Sequence, residues 1–352
     1  MELPIVSGIQ QIGIGVQNVH EAYHWYRKTF GQNIRIFEEA AEANLMLPYT
    51  GGMPQKRHAI LSLHPRGGGG YEIWQYTSRK PQPPAFSIRP GDLGILANCI
   101  KTDQPEATHK YLSNQNLPFL GKLHSSGEGL FFWGKDPFNN FFKIVQSDVF
   151  FQKGKSLFGG PCGAVLGVSA MEKSIAFYRN ILGYDKIVFD QTGVFEDLGE
   201  LGRTGESFRR VILTHSRERK GPFAPFFGNS KIELLQLING NTEKIFKDRL
   251  WGDLGYIHLC FDIRGLDELS ALCKKEGHPF TVESPARFDM GEAAGRFSYV
   301  EDPDGTLIEF VETHKIPLLK KIGWYLNLKN RAPEKALPNW ILKAMTWNQE
   351  KD

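Results

Sequence analysis

At 352 residues, 41% hydrophobic and 23% charged, the chain can bury two sizeable cores and is not compositionally disordered. A formal charge of +3 without a long single-sign block gives little to attract a polyanion, so a nucleic-acid partner is not expected. Cys99, Cys162, Cys260 and Cys273 form no CxxC pair and are too few for a secreted disulfide scaffold. Met1 is followed by Glu2 and Pro4 rather than by a basic and then apolar leader, and no stretch is apolar enough to span a bilayer. These features predict a soluble cytoplasmic protein, off the membrane, with small-molecule partners.

In chain order, residues 9–16 read as a strand that leads directly into a helix over 21–31, where Tyr23, Tyr26 and Phe30 recur at helical spacing before Gly31. The glycine run 67–70 lacks the Lys-Ser or Lys-Thr of a phosphate cradle and reads as a hairpin or loop before a strand over 71–76. Pro81, Pro83, Pro84 and Pro90 make 78–90 a linker. Gly91-Asp92-Leu93-Gly94 then opens a second, weaker strand and helix, 93–100 and 105–112. The turn Asp136-Pro137-Phe138-Asn139-Asn140 precedes the closing strand 140–145.

Past a polar stretch at 148–161, the opening layout returns in 163–168 and 171–183, with Ile175, Tyr178 and Leu182 on one helix face, and a strand follows at 231–237. A fourth copy starts at Gly252-Asp253-Leu254-Gly255, the same four residues as at 91–94. It continues through strand 257–263 and helix 266–277, whose apolar face is Leu269, Leu272 and Cys273. It closes with the turn Asp302-Pro303-Asp304-Gly305-Thr306 and strand 306–311. The predicted fold class is α+β: four βαβββ modules, about 8–77, 91–147, 162–239 and 254–314. Pairing in chain order gives two open barrels, 1–150 and 160–314. Residues 315–352 form a helical extension, with amphipathic segments at 318–328 and 338–347.

This layout resembles the vicinal oxygen chelate superfamily, which includes glyoxalase I, the bleomycin-resistance proteins and the extradiol dioxygenases. The resemblance spans nearly the whole chain and is strongest at 8–31, 163–184 and 302–309. It implies that paired modules form a cup around one divalent metal ion (Fe, Mn, Zn or Ni), with ligands on the first and last strands of each module. Carried over residue by residue, the N-terminal pair offers Gln11, Glu72, Ala97 and Lys143. That set is interrupted by an alanine and a cation, which suits a scaffold or accessory pocket with Glu72 paired to Lys143. The C-terminal pair offers Gly163, Glu233, His258 and Glu309, so the expected metal ligands are Glu233, His258 and Glu309. A water or substrate oxygen would stand in at Gly163. Alternation places Glu233 with Leu235 and Leu237, and Glu309 with Leu307 and Val311. Acids among such neighbours would be compensated by a divalent cation.

The resemblance further implies a metal-dependent lyase, isomerase or dioxygenase that stabilises an enolate or other oxyanion of a small oxygen-bearing substrate. Glu309 or Glu233 would serve as general base, with His215 and Arg209 for proton transfer or anion binding and Cys260 as a wall residue. Two alternatives stay open. One is a non-catalytic ligand-binding or resistance-type protein whose cup is lined by Trp74, Trp133 and Phe208. The other is a divergent ring-cleaving or 2-oxo acid dioxygenase, which hydroxyphenylpyruvate dioxygenase resembles in length but which would require a histidine at Gly163. A homodimer is compatible with either.

Overall fold

Ile9, Ile12 and Ile14 are buried on the first strand, β1 (Ile5–Gly15), and the uneven step from 9 to 12 is absorbed by a register shift between Ile9 and Gln11. The computed structural model describes residues 4–285, 288–290, 293–319 and 323–350; the opening Met1 and Glu2 lie outside them. After β1, Asn18 caps α1 (Val19–Phe30) by accepting from the amides of His20 and Glu21, and Gly31 ends it in the left-handed conformation. Strands β2 (Ile34–Glu42), β3 (Lys56–Leu63) and β4 (Gly70–Tyr76) complete the first module.

The layout recurs three times. The second module has β5 (Gly94–Thr102), α2 (Pro105–Ser113), the short β6 (Phe119–Leu120) and β7 (His124–Ser126), then β8 (Gly129–Lys135) and β9 (Phe141–Gln146). The third has β10 (Pro161–Gly167), α3 (Met171–Asn180), β11 (Lys186–Val194), a one-turn α4 (Glu196–Leu198), β12 (Ser207–Thr214), a short α5 (Ala224–Phe227) and β13 (Lys231–Leu237). The fourth has β14 (Gly255–Arg264), α6 (Leu266–Lys275), β15 (Val282–Glu283), β16 (Phe288–Met290), β17 (Ala293–Glu301) and β18 (Leu307–Leu319). In every module the first strand runs parallel to the last: β1 with β4, β5 with β9, β10 with β13, and β14 with β18.

The modules do not pair in chain order. One sheet runs β15-β17-β18-β14-β1-β4-β3-β2 and joins the fourth module to the first through antiparallel β14 and β1. The other runs β11-β12-β13-β10-β5-β9-β8-β6 and joins the third to the second through β10 and β5. The expected barrels 1–150 and 160–314 are therefore replaced by an outer pair, modules one and four, and an inner pair, modules two and three. The repeated Gly-Asp-Leu-Gly segments help lock this arrangement. A side chain on Gly15 would lie 2.0 Å from the Asp253 carbonyl oxygen, and one on Gly167 would lie 2.0 Å from that of Asp92. Each anchor of an even module thus seats against the first strand of its actual partner.

Helices α1, α2, α3 and α6 share one core with strands of both sheets, which includes Tyr26, Phe30, Phe142, Tyr178, Tyr184, Leu234 and Phe261. The two Asp-Pro turns tie it together. Asp136 Oδ1 accepts from the amides of Phe138 and Asn140 while its other oxygen receives the Tyr26 hydroxyl. Asp302 Oδ1 accepts from the amides of Asp304 and Thr306 while its other oxygen receives the Tyr178 hydroxyl.

In the tail, β18 extends to Leu319 and pairs antiparallel with β19 (Trp324–Asn327), so the first expected helix, 318–328, is a hairpin among the residues described, 320–322 lying outside them. Gly323 at φ 66° and the aromatic Trp324-Tyr325 pair favour strand over helix there. The second expected helix is present as α7 (Asn339–Met345), docked through Ile341, Leu342 and Met345. The glycine run 67–70 lets the backbone approach Phe226 and Gly160 closely, which gives it a packing role. Among the described residues no helix is long and apolar enough to cross a membrane.

Candidate metal centre

The four central strands of the outer pair bring Gln11 (β1), Glu72 (β4), His258 (β14) and Glu309 (β18) to one point. Register explains the convergence. Gly13 stands opposite His258 and beside Glu72, while Cys260 stands opposite Gln11 and beside Glu309. His258 Nε2 lies 3.3 Å from Glu72 Oε2 and 3.1 Å from Glu309 Oε2; Gln11 Nε2 lies 3.3 Å and 3.4 Å from the same two oxygens. Glu72, His258 and Glu309 each offer a donor atom to a common centre.

The donor set fits a divalent ion. An imidazole, an amide and two carboxylates suit a borderline divalent cation, and two donors lack other partners: Gln11 Oε1 and His258 Nε2 are buried with no well-formed hydrogen bond. The amide orientation of Gln11 is interchangeable with one that turns Oε1 towards the centre. Burial opposes charge on His258, but the Glu309 and Glu72 carboxylates outweigh it and lift its pKa to about 9. Burial likewise opposes ionisation of Glu309, yet His258, with the Tyr299 hydroxyl and Cys260 thiol beside it, holds that carboxyl below its usual range.

Above the donors lies a small cavity of about 90 Å³, whose wall is mostly apolar: Phe37, Leu61, Phe223, Phe226, Phe227 and Met345 line it, with Gln10 and Thr313 adding polar points. Three of these phenylalanines come from the third module, on or next to α5, and Met345 comes from α7. The cup of the outer pair is thus closed by a segment of the inner pair and by the tail.

Glu233, expected as a ligand with His258 and Glu309, lies in the other sheet. Lys143 Nζ donates to its Oε2 at 2.6 Å and Arg210 Nε donates to its Oε1 at 2.7 Å. Arg210 also forks onto Asp197 at 3.0 Å through each terminal nitrogen. Burial would raise the Glu233 pKa, but Arg210 and Lys143 reverse the shift and keep it low. Gly163, Glu233, Ala97 and Lys143 hold the same register positions here as Gln11, Glu72, His258 and Glu309 hold in the outer pair. Two side-chain cations neutralise the two acids, and the larger cavity above them, about 510 Å³, is lined by Lys143, Arg210 and Glu233 together with Cys99 and Cys162.

The pairing of Glu72 with Lys143 is replaced by Glu72 with His258 and Lys143 with Glu233. Arg209 faces out of the inner sheet onto Asp190 and Glu172, because its neighbour Arg210 takes the inward side. His215, just past β12, hydrogen-bonds the Arg217 carbonyl and lines neither cavity. Trp74, Trp133 and Phe208 are fully buried core residues that line neither cup. Cys260 is a buried neighbour of the centre, its thiol 3.7 Å from Gln10 Oε1. Gln11 and Glu72 were visible as donor types; what concealed their role was the partner module.

Residues 163–310 match the family model described as the Glyoxalase/Bleomycin resistance protein/Dioxygenase superfamily. Among solved structures, glyoxalase I from Zea mays superposes with a TM-score of 0.55 at 14% identity, covering 87% of this chain and 92% of that one. A Bacillus subtilis protein proposed to be a dioxygenase gives 0.54 at 14% identity, covering 88% and 86%. At such identity the likeness is one of fold, and it extends over most of the chain. No curated protein matches in sequence.

Proposed function

We propose that this chain, whose residues 163–310 match the Glyoxalase/Bleomycin resistance protein/Dioxygenase superfamily, is a member of the vicinal oxygen chelate superfamily and that its outer cup is a divalent-metal site acting on a small, largely apolar substrate with two adjacent oxygens. The observation that carries this reading is the meeting of Gln11, Glu72, His258 and Glu309 from four strands, with Gln11 Oε1 and His258 Nε2 buried and otherwise unpartnered.

Those four side chains would hold the ion. When bound, a divalent cation supplies Lewis-acid stabilisation of an enolate or similar oxyanion. The chain's own residues supply the rest. Glu72 and Glu309 both border the cavity, so either carboxylate oxygen can accept a proton from a substrate carbon and return it. Phe37, Leu61 and the phenylalanines around α5 orient the apolar portion and exclude water, which strengthens every charge interaction inside. The inner cup, whose acids are already neutralised by Lys143 and Arg210, takes no metal in this reading.

The test is a turnover screen of metal-loaded protein against hemithioacetals, catechols, 2-oxo acids and acyl-coenzyme A epimers, run beside Glu309→Ala. Metal-dependent turnover that Glu309→Ala abolishes supports the enzyme. Ligand binding that survives Glu309→Ala, with no turnover in the screen, would instead favour the ligand-binding alternative.

A further inference from the structure

A second set of metal-donor side chains sits on the outer face of the first module, away from the cup. Asn18 fixes the start of α1, which places His20 in the first turn above the β2–β3 ladder. On that ladder Ala40 pairs with His58 and Glu38 with Ile60, so Glu38 and His58 are diagonal neighbours on one face. His58 Nε2 is 3.1 Å from Glu38 Oε1, His20 Nε2 is 3.7 Å from the same oxygen, and the two imidazoles meet edge to face with centroids 5.0 Å apart.

We propose that His20, Glu38 and His58 bind a borderline divalent cation such as Zn²⁺, independently of the cup. Metal–donor bonds of about 2.0–2.2 Å around a tetrahedral centre separate donors by roughly 3.3 Å, and the observed spacings bracket that value. Two imidazoles and one carboxylate are a donor set that favours Zn²⁺, Cu²⁺ or Ni²⁺ over Mg²⁺ or Ca²⁺. Three separate elements supply the ligands, so an ion there ties the start of α1 to the β2–β3 hairpin. Arg35 pairs with Glu38 Oε2, leaving Oε1 on the histidine side. Arg35 also reaches Glu350, so it orients Glu38 as an outer-shell partner. The fourth position faces solvent, since His20 is 63% exposed.

The experiment titrates the full chain with Zn²⁺ alone by calorimetry and follows the thermal transition, using wild type, Glu309→Gln, His20→Asn/His58→Asn, and Glu38→Gln. The surface site predicts that Glu309→Gln retains one equivalent of Zn²⁺ and its thermal upshift, and that both are lost when the histidine pair is added to Glu309→Gln. Glu38→Gln, which keeps size and shape, should weaken the same equivalent. With Cu²⁺ as probe, nitrogen hyperfine structure from two imidazoles should vanish in the histidine variant. Unchanged stoichiometry and thermal shift after removal of both histidines would overturn the proposal. Failure of the cup reading has a different signature: wild type and Glu309→Gln would then bind the same single equivalent, lost only with His20 and His58.

Discussion

Gly13 and His258 face each other across β1 and β14, and the imidazole occupies the space a side chain at Gly13 would need: an ideal Cβ there would come within 2.3 Å of its Cε1. Trp251, near-parallel with its centroid at 6.3 Å, and Tyr299, edge-on at 5.6 Å, are the ring's aromatic neighbours. A methyl group at Gly13 would force the ring to shift, so its aim depends on the missing side chain one strand away.

Gly13→Ala should fold yet push the His258 ring off the common point. Gly13 does not have a positive φ, so the effect isolates ring displacement from backbone strain. The expected outcome is a drop of about 10–100-fold in affinity for the cup's metal, the range typical of losing a group that orients a ligand. Metal titration in a His20→Asn/His58→Asn background reads it directly. Affinity equal to that of the parent would show that His258 is not held by this packing.

Glu309 and Glu233 separate metal binding from stability. Glu309→Gln should remove the cup's ion, whereas Glu233→Gln should leave it untouched. Glu233→Gln strips Lys143 and Arg210 of their shared counter-charge inside the inner cup, and breaking such a buried pair costs about 3–5 kcal/mol. The double variant Glu233→Leu/Lys143→Met should be more stable than Glu233→Gln and lie closer to wild type, because no unpaired lysine is left and Arg210 retains its fork onto Asp197. Denaturant midpoints of the three proteins check this. A Glu233→Gln variant as stable as wild type would mean that the pair is solvated.

The α+β class and the recurring strand-helix openings of the βαβββ modules were legible in local pattern, since hydrophobic period and turn residues are local properties. Which module pairs with which was not, because β1 finds β14 across most of the chain and no local pattern records so distant a partner. The donor types themselves held a clue. Joining modules one and four collects Gln11, Glu72, His258 and Glu309 and leaves Lys143 to neutralise Glu233, whereas pairing in chain order leaves both cups incomplete. Arg210 was missed in favour of Arg209 because a one-residue slip in β12 exchanges the two faces.

Tyr178 and Tyr26 carry matching duties, and their variants should cost alike. Each phenol donates to the carboxylate of an Asp-Pro turn in the other module of its half, Tyr178 to Asp302 at 3.0 Å and Tyr26 to Asp136. Removing a buried hydrogen bond to a charged acceptor costs about 1.5–3 kcal/mol. Tyr178→Phe and Tyr26→Phe should each lose that much in chemical denaturation, and the double variant should lose close to the sum. A loss confined to one of them would show that the repeated turn is supported differently in the two halves.

His64 supplies a pH-dependent term of defined sign. It is buried where β3 ends, its Nδ1 accepting from the Arg66 amide at 3.0 Å while Nε2 faces the Ser156 hydroxyl at 3.2 Å, an arrangement that suits the neutral ring. Burial, reinforced by the cations of Arg66 and Lys101, lowers its pKa to about 3 from 6.5. Between those values the unfolded chain binds a proton that the folded chain refuses, so the stabilisation is complete above pH 6.5 and is lost as pH falls towards 3, with a slope approaching about 1.4 kcal/mol per pH unit. Asp136 and Asp302 act in the opposite sense. Burial raises each to about 6 from 3.8, so their contribution is present below 3.8 and lost as pH rises through 6. The wild-type curve therefore mixes both signs, and His64→Asn, which keeps an acceptor for the Arg66 amide, isolates one of them. The stability difference between wild type and His64→Asn should be constant above about pH 7 and shrink steadily from there to pH 4. Parallel pH profiles for the two proteins would show that His64 titrates equally in the folded and unfolded states.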